Sequence, residues 1–273
     1  MSKGFNLLRV EYLFTVITPL LLAIYLNSYN ITNHVDIIAA FGFWAITGNT
    51  INDLMDMNDP NESETLKRVK DYSKKEIGVL AISSFLLGCA LFIEPVLRHL
   101  ELIVYLGLTA VLVILYCVAL KPYLVINWII LDFSHIWLPY LIIKINAGDS
   151  SNLLPFLNLP EIMLLLSASI LALSSNFIHE VIDNDAITKL SPLGQQIILW
   201  GSSILGIGLS IVSVFMFPEY FIFFFPFMIF PFAVIYMSRS RNRLPHGATT
   251  IKDIGIIVGN LSMVFLIVLI IKP

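Results

Sequence analysis

The sequence predicts an all-α polytopic membrane protein, with nine transmembrane helices in a single bundle. Three observations carry that prediction. Of 273 residues, 58% are apolar and only 13% charged, and the mean hydropathy is strongly positive. Nine stretches approach the ~20 mostly apolar residues that a bilayer span requires. Finally, the basic residues fall on alternate sides of those stretches, as the positive-inside rule asks.

The spans read in order as 10–28, 35–57, 77–96, 100–119, 123–145, 161–183, 194–216, 219–238 and 253–271. Each break carries a turn or charge signal. These are the Asn-rich 27–33, the long polar stretch 58–76, Glu94-Pro95, Lys121-Pro122, Gly148–Pro160, Ser191-Pro192, Phe217-Pro218 and the basic run 239–246. The first span is too long for a signal peptide and lacks a small-residue cleavage site, so it is expected to be retained. No low-complexity segment or detachable domain interrupts the chain, which is read as one membrane domain over 1–273.

Counting Lys and Arg by loop sets the orientation. With the N-terminus cytoplasmic, that side holds Lys3, Arg9, Lys67, Arg68, Lys70, Lys74, Lys75, Lys121, Lys189, Arg239, Arg241, Arg243 and Lys252. The other side holds Arg98, Lys144 and Lys272, so the C-terminus is expected opposite the N-terminus. A net charge of -3 with no basic domain gives no reason to expect a nucleic-acid partner. Cys89 and Cys117 lie in apolar runs without a CxxC pairing, and read as small core residues.

Two distant segments spell nearly the same word. Asn49-Thr50-Ile51-Asn52-Asp53-Leu54-Met55-Asp56 closes the second span, and Asn176-Phe177-Ile178-His179-Glu180-Val181-Ile182-Asp183 closes the sixth. Each continues to a further acid, Asp59 and Asp185. On a helix, offsets of four and seven put the Asn and both carboxylates on one face. One such cluster would suit a solvated helix cap, but capping does not ask two distant helices to share eight positions. Ionisable residues at membrane depth are costly, so a repeated acidic face is a candidate site for divalent cations and a phosphorylated ligand.

These residues resemble the UbiA-type intramembrane prenyltransferases, a superfamily of nine-helix proteins with Asp-rich motifs after the second and sixth helices. Asn52-Asp53-Leu54-Met55-Asp56 resembles the family's NDxxDxxxD, although Pro60 stands where the last Asp belongs and Asp59 comes one residue early. His179-Glu180 through Asp183 resembles the second motif, with Ile187 at the place of its last Asp. Tyr116-Cys117-Val118-Ala119-Leu120-Lys121 resembles a Tyr-Ser-x-x-x-Lys signature, with Cys in place of Ser. Ser73-Lys74-Lys75-Glu76 also has a family look.

The resemblance implies an active-site cavity opening laterally and toward the cytoplasm. There a prenyl diphosphate would be ionised with Mg²⁺ and its allylic carbon passed to a lipophilic acceptor. Asp53, Asp56, Glu180 and Asp183 would hold the metal, helped by Asn49, Asn52 and Asn176; with Lys121 these acids form the expected catalytic set. Tyr116, Lys121, Arg68, Lys67, Lys189 and Arg9 would bind the diphosphate. Hard oxygen ligands suit Mg²⁺ and argue against zinc. The acceptor, an aromatic quinone or pigment precursor or a glycerol ether lipid, would come from the membrane. Rival readings are a terpene cyclase using the same metals, a cation-coupled transporter and a non-catalytic homologue. Transporter sites sit near the bilayer midplane on broken helices, whereas these acids sit at helix ends beside a basic loop.

Overall fold

The computed structural model describes residues 5–60, 62–151, 154–182, 186–220, 222 and 248–272. It is built almost wholly of helices. In chain order these are α1 (Phe5–Leu8), α2 (Phe14–Leu26), α3 (Val35–Asp56), α4 (Ser63–Val69), α5 (Lys74–Arg98) and α6 (Leu102–Leu115). Then come α7 (Leu124–Asp132), α8 (Leu138–Asn146), α9 (Leu159–Ile182), α10 (Pro192–Met216) and α11 (Ala248–Ile271). α6 runs on into a π-turn at Tyr116–Leu120, and a second π-turn, Phe133–Trp137, joins α7 to α8. Ser150–Ser151 and Leu154–Pro155 form a minimal antiparallel pair.

Eight of the nine expected spans are helices, and the remaining one, 219–238, falls almost wholly outside the described residues. Seven helices are long and apolar enough to cross a bilayer among the described residues. α3 is not one of them. Its Thr47, Asn49, Thr50, Asn52, Asp53 and Asp56 lower its hydropathy, and they are the polar face on which the acidic word sits. The stretch 58–76, expected as loop, contains α4. Large apolar side chains remain exposed along the helices, among them Val79, Leu97 and Phe215 at 64, 75 and 83%. On a chain of this hydropathy they are lipid-facing, and the protein is an integral membrane protein.

The chain forms two compact units. The first comprises Met1–Lys121, Ile129–Phe156 and Val258–Pro273; the second comprises Pro122–Trp128 and Leu157–Ile257.

In the first unit α3 packs along α5, and the contact is set by a glycine. A Cβ on Gly88 would stand 2.4 Å from Trp44 Cδ1, so the indole occupies the space that a side chain would need. Around it Trp44 stacks on Phe85 at 5.7 Å and meets Phe92 edge-on at 4.8 Å. Ser73 opens α5 with a capping box: its Oγ accepts from Glu76 N at 3.3 Å, and its own N donates to Glu76 Oε2 at 2.8 Å.

The N-terminal end of α3 carries a buried polar group. His34 is 2% exposed, and its Nδ1 accepts from Asn146 Nδ2 at 2.8 Å. Burial, aided by the charge of Arg98, lowers the His34 pKa to about 4, so the ring is neutral. Nearby on α8, Lys144 is 2% exposed and donates to Asn27 Oδ1 at 3.2 Å. It also pairs with Asp149 at 3.0 Å.

In the second unit α9 packs against α10 through small residues. Ser174 Oγ donates to Ser202 Oγ at 3.0 Å, and Ser167 on α9 and Ser203, Ser210 and Ser213 on α10 are buried as well. Small side chains let membrane helices approach closely where lipid gives no hydrophobic drive. Phe177, Ile178, Ile187, Leu199 and Ile251 form the core of this unit, with Trp128 edge-on to Phe177 at 3.9 Å.

Candidate functional site

The first acidic word lies on the last two turns of α3, and the structure surrounds it with cations. Asp53 is fully buried. Arg68, on α4, donates from Nε to Asp53 Oδ2 at 2.8 Å and from Nη2 to Oδ1 at 2.6 Å. This is the two-pronged geometry that a guanidinium makes with a carboxylate. Burial works against the Arg68 charge, but the hydrogen bonds and field of Asp53 outweigh it and raise the Arg68 pKa. Arg9 Nη1 approaches Asp53 Oδ1 at 3.8 Å.

Arg9 reaches Asp53 through a kink. Its backbone has φ 47° and ψ 42°, a left-handed conformation that a non-glycine residue adopts at a cost. The kink separates α1 from the 3-10 turn Val10–Tyr12, and places the guanidinium 4.6 Å over the Tyr12 ring. Leu7 anchors α1 in a small core with Val69 and Ile77.

Asp56 accepts from Lys121 Nζ at 2.9 Å and from Asn52 Nδ2 at 2.8 Å. The π-turn positions that lysine: Lys121 N donates to Tyr116 O at 3.2 Å, closing the wider ring. Cys117, inside the turn, lies against α3 with its Sγ 3.8 Å from Gly48 O. The Tyr-to-Lys signature is thus a local winding change that brings Lys121 to Asp56.

Lys121 Nζ also pairs closely with Glu62, a buried carboxylate that the sequence reading missed. Glu62 is the N-cap position of α4, and a lone acid in a polar loop carries no periodic signal. Its place three residues before α4's Thr65 is visible only once α4 is known.

The structure therefore gathers Asn52, Asp53, Asp56, Lys121, Arg68 and Arg9 in the first unit. Asn49 lies one turn before Asp53 on α3 and is half-buried, as is Tyr116. Lys67 is exposed on α4, and its side chain is not among those on the acids.

The second word stands in the second unit at the end of α9. Asp183 and Asp185 lie outside the described residues. Glu180 is 3% exposed and accepts from several donors. Its Oε1 takes Asn127 Nδ2 and Trp128 Nε1, each at 2.9 Å, and Asn176 Nδ2 at 3.1 Å; its Oε2 takes Ile187 N at 3.0 Å. Asn176 also donates to Asn127 Oδ1 at 3.3 Å. Lys189 ends the 3-10 turn Ala186–Lys189 and is exposed.

Among the described residues, no three His, Cys, Asp or Glu side chains converge closely enough to hold a metal by themselves. The first word nonetheless offers hard oxygens. Asn52 Oδ1 is buried without a hydrogen-bond partner beside the Asp56 carboxylate that its own Nδ2 engages. An orphaned buried amide oxygen next to carboxylates fits a small hard cation.

No family model and no curated protein matches this sequence. Solved structures do. A UbiA homologue from Archaeoglobus fulgidus bound to DMAPP and Mg²⁺ superposes with a TM-score of 0.68 at 16% identity, over 100% of both chains. The same archaeon's homologue bound to GPP and Mg²⁺ gives 0.69 at 15% identity, over 98% of this chain and 99% of that one. The chain has the UbiA fold. A third structure of the A. fulgidus homologue agrees, with a TM-score of 0.67 at 14% identity and the same coverage. At such identities the likeness is one of fold, and this UbiA fold is what carries the acidic words at the ends of α3 and α9.

Proposed function

We propose that this protein transfers a prenyl group from a prenyl diphosphate to a lipophilic acceptor within the membrane. The observation that carries the reading is the cluster at the end of α3, where two buried or half-buried carboxylates alternate with Arg68, Arg9 and Lys121. Fold likeness to an A. fulgidus homologue bound to DMAPP or GPP with Mg²⁺ supports the same substrate class.

In this reading Asp53, Asp56, Asn52 and Asn49 would hold Mg²⁺, and Asn176, Glu180 and Asp183 are further candidate ligands by their places in the repeated word. Magnesium, when bound, neutralises the charge that gathers on the departing diphosphate. Lys121, Arg68 and Arg9 donate to the diphosphate oxygens, with Tyr116, Lys67 and Lys189 as further contacts. Their positive charge matters most as the allylic carbon–oxygen bond breaks and its electron pair stays on the leaving oxygen. The carbon then bonds to the acceptor, which gives up a proton. The reading requires apolar walls that keep water from competing for the cation.

The acceptor in this proposal is an aromatic quinone or pigment precursor, or a glycerol ether lipid. The chain acts as one domain over 1–273. Its N-terminus and both acidic words face the cytoplasm, and its C-terminus lies opposite. Labelling of single cysteines at position 3 and position 272 with a membrane-impermeant reagent tests that orientation.

The activity is tested with purified protein, Mg²⁺ and a radiolabelled prenyl diphosphate, with and without membrane lipid extract. A labelled lipid formed only with extract supports transfer. A labelled hydrocarbon without extract points instead to cyclisation, and no consumption in either arm contradicts the proposal.

A further inference from the structure

We propose that Glu62 is a positioning residue: it holds Lys121 at Asp56, and through Lys121 it sets how well the site takes a diphosphate. The second half of the proposal rests on the diphosphate reading above. Lys121 Nζ stands between two carboxylates, Asp56 at the end of α3 at 2.9 Å and Glu62 at the start of α4. A lysine ammonium is a compact charge on a flexible four-carbon stem, so a single ion pair leaves its direction loose. Two carboxylates on two different elements fix it from two sides.

The backbone after α3 delivers Glu62 to that place. Asp59 N donates to Asp56 O at 2.9 Å, and Glu62 N donates to Asp59 O at 3.2 Å. Leu66 N then donates to Glu62 O at 2.9 Å as α4 begins. Glu62 is the N-cap residue of α4, yet its side chain makes no capping bond. Ser73 shows the ordinary use of such a position, since its Oγ accepts from Glu76 N at the start of α5. The Glu62 carboxylate is instead buried and paired with Lys121, and a local rule broken in this way points to a task at the site.

α4 thus meets the first acidic word with two ion pairs of opposite polarity. Arg68 brings a cation to Asp53, and Glu62 brings an anion to the lysine on Asp56. Val69 seats the helix in the small core with Leu7 and Ile77, so both charges are aimed from a fixed base. In the diphosphate reading Asp56 is also a metal ligand, and a carboxylate engaged by Mg²⁺ anchors the lysine less firmly. Glu62 is then the anchor that keeps the ammonium at the site, which lowers the freedom lost when a diphosphate binds.

A double-variant cycle tests this, read by equilibrium binding of radiolabelled geranyl diphosphate in the presence of Mg²⁺. The four proteins are wild type, Glu62→Ala, Lys121→Ala and the double variant. Glu62→Ala is expected to weaken binding about threefold to tenfold, the scale of one hydrogen bond in a folded protein. In the Lys121→Ala background the same substitution changes binding by less than about twofold, because the residue it acts through is gone. An equal loss in both backgrounds would show a general effect on α4 and overturns the proposal. Unchanged binding in Glu62→Ala overturns it as well. So does tighter binding, which would show Glu62 competing with the diphosphate for Lys121.

Thermal unfolding of the same four proteins in detergent reads the pair without any ligand. The two substitutions are expected to be non-additive, since both remove one ion pair. Should Glu62→Ala not fold, Glu62→Gln fills the same space and gives the same pattern with a smaller loss. If wild type binds no geranyl diphosphate while the unfolding cycle shows coupling, the diphosphate reading fails and the anchor stands. If wild type binds and the unfolding cycle is additive, the anchor itself is overturned.

Discussion

Arg68 grips Asp53 with two parallel hydrogen bonds, of 2.8 and 2.6 Å, at a point where the carboxylate is fully buried. The pair joins α4 to α3, and it keeps an acid at the end of a membrane helix from being left without a counter-charge. Breaking one side is therefore predicted to be worse than removing both. Arg68→Ala is expected to destabilise the protein by about 3–5 kcal/mol, the range for a buried ion pair that loses one member. The double variant Asp53→Asn with Arg68→Ala recovers much of that loss. Denaturant or thermal unfolding in detergent checks the ranking, and Arg68→Lys falls between because it cannot make both contacts.

The acids and Lys121 are predicted to differ in kind. Asp53→Ala and Asp56→Ala abolish consumption of prenyl diphosphate. Lys121→Ala leaves the protein folded but raises the KM for the diphosphate by roughly ten- to a hundredfold, the range for one hydrogen bond to a charged group. Full activity in all three variants would show that the cluster only caps helices.

Much of this was legible in the sequence, because membrane helices announce themselves by length and hydropathy and the repeated word by its spacing. Helical offsets and the Tyr-to-Lys signature single out Asp53, Asp56, Asn52 and Lys121, and the structure puts Asn52 and Lys121 on Asp56 at the end of α3. The distinction between Asp53 and Glu180 was not legible. Arg68 comes to Asp53 from α4, whereas Glu180 takes Asn127 and Trp128 from α7 besides Asn176 in its own word and the Ile187 N–H, and the α4 and α7 partners cannot be read from the word's spacing. Glu62 was hidden for a related reason, since its role depends on α4, a helix of seven residues inside a polar stretch. The π-turn at Tyr116–Leu120 was equally invisible, because the same residue pattern suits an α-helix.

His34 predicts a pH dependence of stability. Its folded pKa is lowered to about 4 from an ordinary value of 6.5, so the unfolded chain binds the proton more readily. The stability from the neutral ring is fully present above pH 6.5 and is lost as pH falls from there through 4. Melting of the purified protein is expected to drop between pH 7 and pH 5, and His34→Gln to flatten that dependence. An equal drop in the variant would place its origin elsewhere.

Gly88 predicts a packing limit between α3 and α5. Gly88→Ala puts a methyl 2.4 Å from Trp44 Cδ1, with Ala40 O at 3.1 Å behind it. The expected cost is about 1–3 kcal/mol, as for other overpacked cores. Trp44→Leu in the same chain recovers part of it, which thermal unfolding of the single and double variants would reveal.

The account's central claim is that the end of α3 is a magnesium-dependent diphosphate site, and equilibrium binding of radiolabelled geranyl diphosphate to the purified protein tests it most directly. Binding is measured over a range of Mg²⁺ concentrations for wild type, Asp56→Ala and Lys121→Ala. The account predicts saturable binding in wild type that requires Mg²⁺, none in Asp56→Ala at any Mg²⁺ concentration, and weaker binding in Lys121→Ala with an unchanged Mg²⁺ requirement. Binding that ignores Mg²⁺, or that survives intact in Asp56→Ala, would contradict it.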